Sequence, residues 1–316
     1  MKAKSTNTKP LASLAERESF PGIENLGNSC FANSILQVFN HTPAFLSHFK
    51  NYHCQCKGQD CYHCLLKNYI NMVESSQSGE SIKPSEILNA LARSDPKKFG
   101  RGATADANEF FDKISEWLDD PIMSEIYSSM LKTIYHCKSC GHKWNLPEGL
   151  RSEGLRLYKC KQSESILDKL KKFSREKDVD YALPCEKCGD RGNSTEKTVI
   201  VSPPRVLQIR IAGFNVDDYA KTYFPDEINI RPYMEDQTGS KANYELFAVV
   251  VASYWENISH SRESATKINH YFALCKPQNG QWNLYNDAGV YKKIPLETVQ
   301  TFDPYLLFYR RKPPGR

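Results

Sequence analysis

Eight of the eleven cysteines in this 316-residue chain fall into two tight groups, and that grouping restricts its fold more than any other feature. Cys137-x-x-Cys140 and Cys185-x-x-Cys188 bracket about 44 residues. Two thiolate pairs at this spacing suit a closed, tetrahedral four-cysteine zinc site, which contributes to folding and leaves no position open for substrate chemistry. A redox dithiol or a nucleic-acid-binding ribbon could use the same pairs, but no basic-aromatic patch accompanies them. The second group, H-C-Q-C-K-G-Q-D-C-Y-H-C, offers Cys54, Cys56, Cys61 and Cys64, with His53 and His63 in reserve. Dense soft ligands favour a second zinc there; a metal-free loop is the alternative.

The count of cysteines is odd and their pattern favours metal ligands and free thiols over a disulfide framework. The N-terminus, M-K-A-K-S-T-N-T-K-P, has positive charge but no apolar stretch behind it, so it does not read as a secretory signal. An intracellular protein, cytoplasmic or nuclear, is expected, with a flexible tail over residues 1–19. No segment approaches the roughly 18 consecutive apolar residues of a membrane helix. The net charge of +5 is small for this length and lacks a long single-sign block, which argues against a nucleic-acid partner. The length suits one large domain or two ordinary ones.

Helical spacing governs the first part of the chain. Phe31, Ile35, Val38 and Phe39 form an apolar stripe over Cys30 to Asn40, with Asn28 or Ser29 as cap. Pro43 ends or restarts that helix. Further helices are expected over Leu65–Val73, Ser85–Ala92, Asp106–Leu118 and Ser165–Phe173. The last third reads as strands: Thr198–Ile211, Tyr244–Tyr254, His270–Lys276, Trp282–Asn286 and Tyr305–Arg310. Helices first and strands afterwards predict an α+β fold, a helical lobe beside an antiparallel sheet.

Cys30 stands outside both cysteine groups, directly after a Gly-Asn-Ser turn. A thiol at the first turn of a helix meets unpaired N–H groups and the positive end of the dipole, which favour the reactive thiolate. A small buried hydrophobe on an apolar helix is the competing reading. A nucleophilic thiol needs a base from elsewhere in the chain. His53, His63, His136 and His142 lie among the cysteine pairs, and His41, His48 and His260 in loops or at helix ends. His270 opens the strand H-Y-F-A-L-C, and W-N-L-Y-N-D follows as the adjacent hairpin strand. Asn286 or Asp287 could then fix the tautomer and orientation of the His270 ring; an ordinary strand-end histidine is the alternative. Cys160 and Cys275 read as ordinary thiols, and Phe110, Phe111 and Trp117 as core.

The stretch N-L-G-N-S-C-F-A-N-S-I-L-Q resembles the cysteine box of the ubiquitin-specific proteases. H-Y-F-A-L-C, W-N-L-Y-N-D and P-Y-L-L-F-Y are similar to that family's histidine box and C-terminal strand, D-A-N-E-F-F to its D-A-x-E-F helix, and P-P-R-V-L-Q-I-R-I to its palm strand. The blocks occur in family order across residues 20 to 311. The resemblance implies a papain-like cysteine protease fold with a helical thumb (about 20–125), zinc-ribbon fingers (about 126–205) and an antiparallel palm sheet (about 206–312), in one catalytic domain spanning 20–312. It implies Cys30 as nucleophile, His270 as base, Asn286 as third member, Asp287 as supporting polar group and Asn25 as oxyanion donor. It also implies that Asp106 and Glu109, otherwise read as a solvated face, border the channel for ubiquitin's arginine-bearing tail. The expected activity is hydrolysis after the C-terminal glycine of ubiquitin by a monomeric domain with structural zinc and no catalytic cofactor. Asn269, Thr104 and I-R-I-A-G-F differ from the family's usual glycine, glutamine and L-K-R-F. Another ubiquitin-like modifier as substrate, an inactive ubiquitin-binding scaffold and a nucleic-acid-binding zinc ribbon are the alternatives.

Overall fold

Phe31, Ile35, Val38 and Phe39 lie on the helix Cys30–Asn40, and all its residues are buried. A helix covered on every face belongs at the centre of a layer, not at its surface. It packs on the helix Ala107–Leu118 through Phe31 against Phe110 (5.9 Å between ring centroids) and Phe39 against Phe111 (5.7 Å). Its other side meets the strand Ile268–Cys275. The computed structural model describes residues 17–54, 56, 61–77, 79–100, 102–119, 121–145, 150–152, 154–213, 220–238, 242–254, 268–278 and 280–313. Most of the expected tail, residues 1–16, and His260 lie outside them.

Pro43 restarts the chain as a helix, Pro43–Lys50, because its fixed φ and missing N–H suit the first helical position. The helices Tyr62–Ser75 and Ser85–Ser94 run slightly beyond their predicted ends. Asp106 and Ser165 are caps, not helical residues: Asp106 Oδ1 accepts from the backbone N–H of Asn108 and Glu109, and Ser165 Oγ from Asp168.

The predicted strand Thr198–Ile211 is two strands, Ser194–Ser202 and Val206–Ala212. Pro203-Pro204 cannot donate to a ladder, and there the chain passes from one sheet to another. The large sheet has the order Gly289–Ile294, Trp282–Asn286, Ile268–Cys275, Asn243–Tyr254, Leu306–Arg311, Val206–Ala212 and Leu155–Tyr158, with Glu227–Asn229 also pairing Asn243–Tyr254. Its pairs are antiparallel except the last, where Leu155–Tyr158 runs parallel to Val206–Ala212. The expected antiparallel sheet is therefore mixed at one edge.

The strand Asn243–Tyr254 shows how the sheet sorts two cores. Leu246, Val249 and Val251 face a core built with the helix Ile166–Phe173, while Phe247, Ala248, Val250 and Ala252 face the helical lobe. Phe247 and Ala248 fall consecutively on the same core because a bulge between Leu246 and Ala248 shifts the alternation by one residue. The small sheet, Lys143–Asn145, Ser129–Cys137, Ser194–Ser202 and Lys177–Asp178, carries the first cysteine group at its end.

His41 closes the central helix and is buried. Its Nδ1 lies 2.7 Å from the Gln37 carbonyl, so Nδ1 carries the proton and Nε2 accepts from the Tyr285 hydroxyl at 3.2 Å. Burial holds its pKa down at about 3. Above the ordinary value near 6.5 both folded and unfolded states are neutral, and His41 contributes no pH dependence. Below it, the unfolded state takes up a proton that the folded state refuses, and stability falls by about 1.4 kcal/mol per pH unit until pH nears 3. Denaturant unfolding at pH 7, 6 and 5 is expected to show this slope, and the difference between wild type and His41→Gln isolates it. Equal slopes in the two proteins would remove His41 as its source.

Candidate active site

The turn before the central helix depends on left-handed backbone. Gly27 (φ 98°) and Asn28 (φ 61°) reverse the chain, and Ser29 leads into Cys30, the first helical residue. The Asn28 side chain donates to the Gly102 carbonyl at 2.9 Å and ties this loop to the lead-in of the Ala107–Leu118 helix. Asn25 folds back over the turn. Its Oδ1 accepts from the backbone N–H of Gly27 (3.1 Å) and Ser29 (3.0 Å), and its Nδ2 donates to Asp287 Oδ2 (2.9 Å). The amide plane is thereby fixed from both ends, with a second N–H left on Nδ2.

The other half of the site comes from a hairpin. Asn286 pairs with Gly289 across a tight loop of Asp287 and Ala288, with Asp287 at φ 52°. Gly22 is required beside it, since a Cβ there would sit 2.1 Å from the Ala288 carbonyl oxygen. The Ile23 amide donates to the Asp287 carbonyl at 2.9 Å, so the segment leading to Asn25 is seated on the hairpin loop. On the neighbouring strand, His270 Nε2 lies 2.6 Å from Asn286 Oδ1. An amide oxygen accepts, so Nε2 carries the hydrogen and Nδ1 keeps its lone pair.

The structure thus brings two hydrogen-bonded pairs, Asn25–Asp287 and His270–Asn286, joined through the Asn286–Asp287 peptide bond, to the start of the Cys30 helix, where the Cys30 thiol meets the Tyr271 amide N–H. Its ionisation does not follow the helix-dipole expectation. Burial raises the Cys30 pKa, and the Asp287 charge adds to that, against the N–H groups of Tyr271, Phe31 and Cys30. Only 7% of Cys30 is exposed, and desolvation of a thiolate outweighs the dipole there. That shift favours the neutral thiol over the thiolate.

Sequence reading missed Asn33, whose Nδ2 reaches Asp287 Oδ1 at 2.8 Å. Its position one turn after Cys30, on the same helical face, was the available signal. Asp106 is engaged within the chain, accepting from the Tyr305 hydroxyl and lying 3.8 Å from Arg210. Glu109 pairs with Lys98 at 2.9 Å. Phe110 and Phe111 are core, and Trp117 stacks on Tyr62 at 4.1 Å. Cys275 is buried within its strand.

All eleven cysteines are free thiols, and the two groups form two four-cysteine clusters that could hold metal ions. Cys137-Lys-Ser-Cys140-Gly141-His142 and Cys185-Glu-Lys-Cys188-Gly189-Asp190 fold alike. Gly141 and Gly189 donate to the carbonyls of Cys137 and Cys185, and Cys137 and Cys185 donate to the carbonyls of His142 and Asp190, each at 2.9 Å. Sulfur separations are 3.7 Å (Cys137 to Cys188) and 3.6 Å (Cys140 to Cys185). Zn–S bonds of about 2.3 Å set tetrahedral edges of about 3.8 Å, so this donor set fits zinc. In the other cluster Cys54 and Cys61 are 3.3 Å apart and Cys56 and Cys64 3.4 Å.

Comparison with known proteins gives a consistent picture. The family model described as ubiquitin carboxyl-terminal hydrolase matches residues 21–309. Ubiquitin carboxyl-terminal hydrolase 15 of Arabidopsis thaliana is 26% identical over 321 residues, covering 93% of this chain and 33% of that protein. Ubiquitin carboxyl-terminal hydrolase 42 of Homo sapiens is 27% identical over 316 residues, covering 92% of this chain and 23% of its own. The chain therefore spans a third or less of these relatives. Among solved structures, the SAGA Ubp8/Sgf11/Sus1/Sgf73 DUB module bound to ubiquitin aldehyde superposes with a TM-score of 0.77 at 22% identity, over 96% of this chain and 72% of that one. The α+β, papain-like fold expected from the motifs is the fold of that neighbour.

Proposed function

The chain belongs to the ubiquitin carboxyl-terminal hydrolase family, whose model spans residues 21–309, and from that membership we propose that it is a thiol-dependent deubiquitinase, hydrolysing the peptide or isopeptide bond after the C-terminal glycine of ubiquitin. The observation that carries this reading is the His270–Asn286 hydrogen bond of 2.6 Å, which leaves Nδ1 as the basic nitrogen of a histidine whose neighbour, Tyr271, touches the Cys30 thiol through its amide.

The mechanism follows from these positions. His270 Nδ1 takes the Cys30 proton, and Asn286, holding the opposite N–H, keeps the ring in that tautomer. The thiolate sulfur attacks the glycine carbonyl, and the carbonyl π electrons move onto oxygen. The second N–H of Asn25 Nδ2 and the backbone amides of Cys30 and Phe31 at the helix start receive that oxyanion. As the intermediate collapses, the C–N bond breaks and the amine leaves with the proton from His270. Water then attacks the thioester, giving up a proton to His270; the carbon–sulfur bond breaks, releasing the C-terminal carboxylic acid and a thiolate that takes that proton back from His270.

Zinc is the metal we assign to both clusters, Cys137, Cys140, Cys185 and Cys188 in the small sheet, and Cys54, Cys56, Cys61 and Cys64 before the helix Tyr62–Ser75. Four thiolates complete its coordination, so it supplies folding energy and no chemistry.

A second reading, the same chemistry on another ubiquitin-like modifier, is favoured by one observation. Asp106 is committed to Tyr305 and Arg210, and Glu109 to Lys98, so the acids expected to meet an arginine-bearing tail are already paired. Electrophilic probes built on ubiquitin and on other modifiers test both readings. A covalent adduct at Cys30 with the ubiquitin probe is the expected result. An adduct only with a different modifier moves the substrate class, and no adduct from folded, zinc-loaded protein overturns the enzyme.

A further inference from the structure

We propose that Asn33 is a positioning residue that aims the oxyanion donor Asn25 through Asp287; this rests on the reading of Asn25 given above. Asn33 is 3% exposed and sits on the Cys30 helix. Three acceptors surround its Nδ2: Asp287 Oδ1 at 2.8 Å, and the carbonyls of Ile23 and Glu24 at 3.3 Å each. That environment fixes which end of the amide is nitrogen, because an oxygen there would face only acceptors. The orientation is kept although it leaves Asn33 Oδ1 buried without a donor.

The consequence is a relay from the helix to the donor. With Oδ1 of Asp287 held by Asn33, Oδ2 points at Asn25 Nδ2, 2.9 Å away. Asp287 itself sits in a left-handed conformation at a tight turn, so without Asn33 its carboxylate keeps one side-chain partner among the described residues, Asn25, and can rotate about its χ angles. The Ile23 and Glu24 carbonyls that Asn33 also contacts lead directly into Asn25. One amide therefore registers the helix, the hairpin loop and the donor segment together. Preorganisation of this kind acts on the transition state, where charge appears, and not on substrate binding.

The test is a double-mutant cycle of Asn33→Ala and Asn25→Ala, with turnover of a ubiquitin C-terminal fluorogenic amide as readout. Asn33→Ala is expected to lower kcat by about 10- to 100-fold with KM within about twofold, and the double variant is expected to be no slower than Asn25→Ala alone. Iodoacetamide alkylation of Cys30, which develops no oxyanion, is expected to keep its wild-type rate. If Asn33→Ala does not fold, Asn33→Leu has nearly the same shape without the donor and takes its place in the cycle. Losses that multiply in the double variant, a change in KM alone, or an equal loss of alkylation overturns the proposal. A wild-type protein without turnover overturns the deubiquitinase reading instead, and with it the role of Asn33.

Discussion

Cys30→Ala is expected to reduce turnover to background, and His270→Ala to lose about 10⁴-fold or more at neutral pH, with the double variant no worse than Cys30→Ala. The size of the His270 effect follows from the state of the thiol. Burial, with the Asp287 charge adding to it, holds the Cys30 pKa above that of an ordinary thiol, so the thiolate is disfavoured until a base takes the proton. A nucleophile that were already ionised would depend far less on its base. The pH profile separates the cases: in His270→Ala the residual rate should climb roughly tenfold per pH unit and still be climbing where an ordinary thiol, with a pKa of about 8.5, has levelled off, as solvent takes over deprotonation. A His270→Ala variant with near wild-type turnover at pH 7, or a flat residual rate, would exclude His270 as the base. Cys30→Ala should retain the wild-type thermal midpoint within a few degrees, because the alanine leaves the helix and its packing in place.

How much of this was legible in the sequence depends on the range of the interaction that decides each feature. Local signals read well. Phe31, Ile35, Val38 and Phe39 announced the central helix, and the helix expected over Asp106–Leu118 is present, beginning one residue later with Asp106 as its cap. Pro203-Pro204 was visible yet was read as part of a strand, because the flanking β-branched run Thr198–Val201 outweighed it in a linear reading. The parallel edge pair Leu155–Tyr158 with Val206–Ala212 left no trace, since parallel partners are set by distant topology. The candidate site divides the same way. Cys30, His270, Asn286, Asp287 and Asn25 were found through motifs resembling a family, whereas Asn33 was passed over as one more polar residue on an apolar helix. What it does depends on Asp287, which approaches from 254 residues away. The raised Cys30 pKa was illegible for a related reason: the dipole is a property of the local turn, but desolvation is a property of everything packed around it.

Loss of metal from the small sheet should be the largest stability effect in the molecule. The core there is small, with Tyr135, Cys137, Trp144, Val179 and Cys185 buried and Leu183 packed beside them, and two of the five buried residues are proposed ligands. So few side chains cannot hold the strands Ser129–Cys137 and Ser194–Ser202 against chain entropy at their distal end. Structural zinc supplies about 10–16 kcal/mol of apparent binding free energy in small zinc domains, so its removal exceeds any single packing change. Cys137→Ser is therefore expected to release one equivalent of zinc and to abolish amide-exchange protection in the small sheet. The large sheet, which carries His270 and Asn286, has its own cores on both faces and should keep its protection. In the second cluster, Cys56 is exposed and the group lies at a helix start outside any sheet, so Cys56→Ser should release a second equivalent at a smaller cost. Metal analysis of the wild type should find about two zinc ions per chain. A single ion, retained in Cys56→Ser and lost in Cys137→Ser, would leave the second cluster without its metal. Unaltered exchange in a zinc-free Cys137→Ser protein would show that the small sheet stands on packing alone.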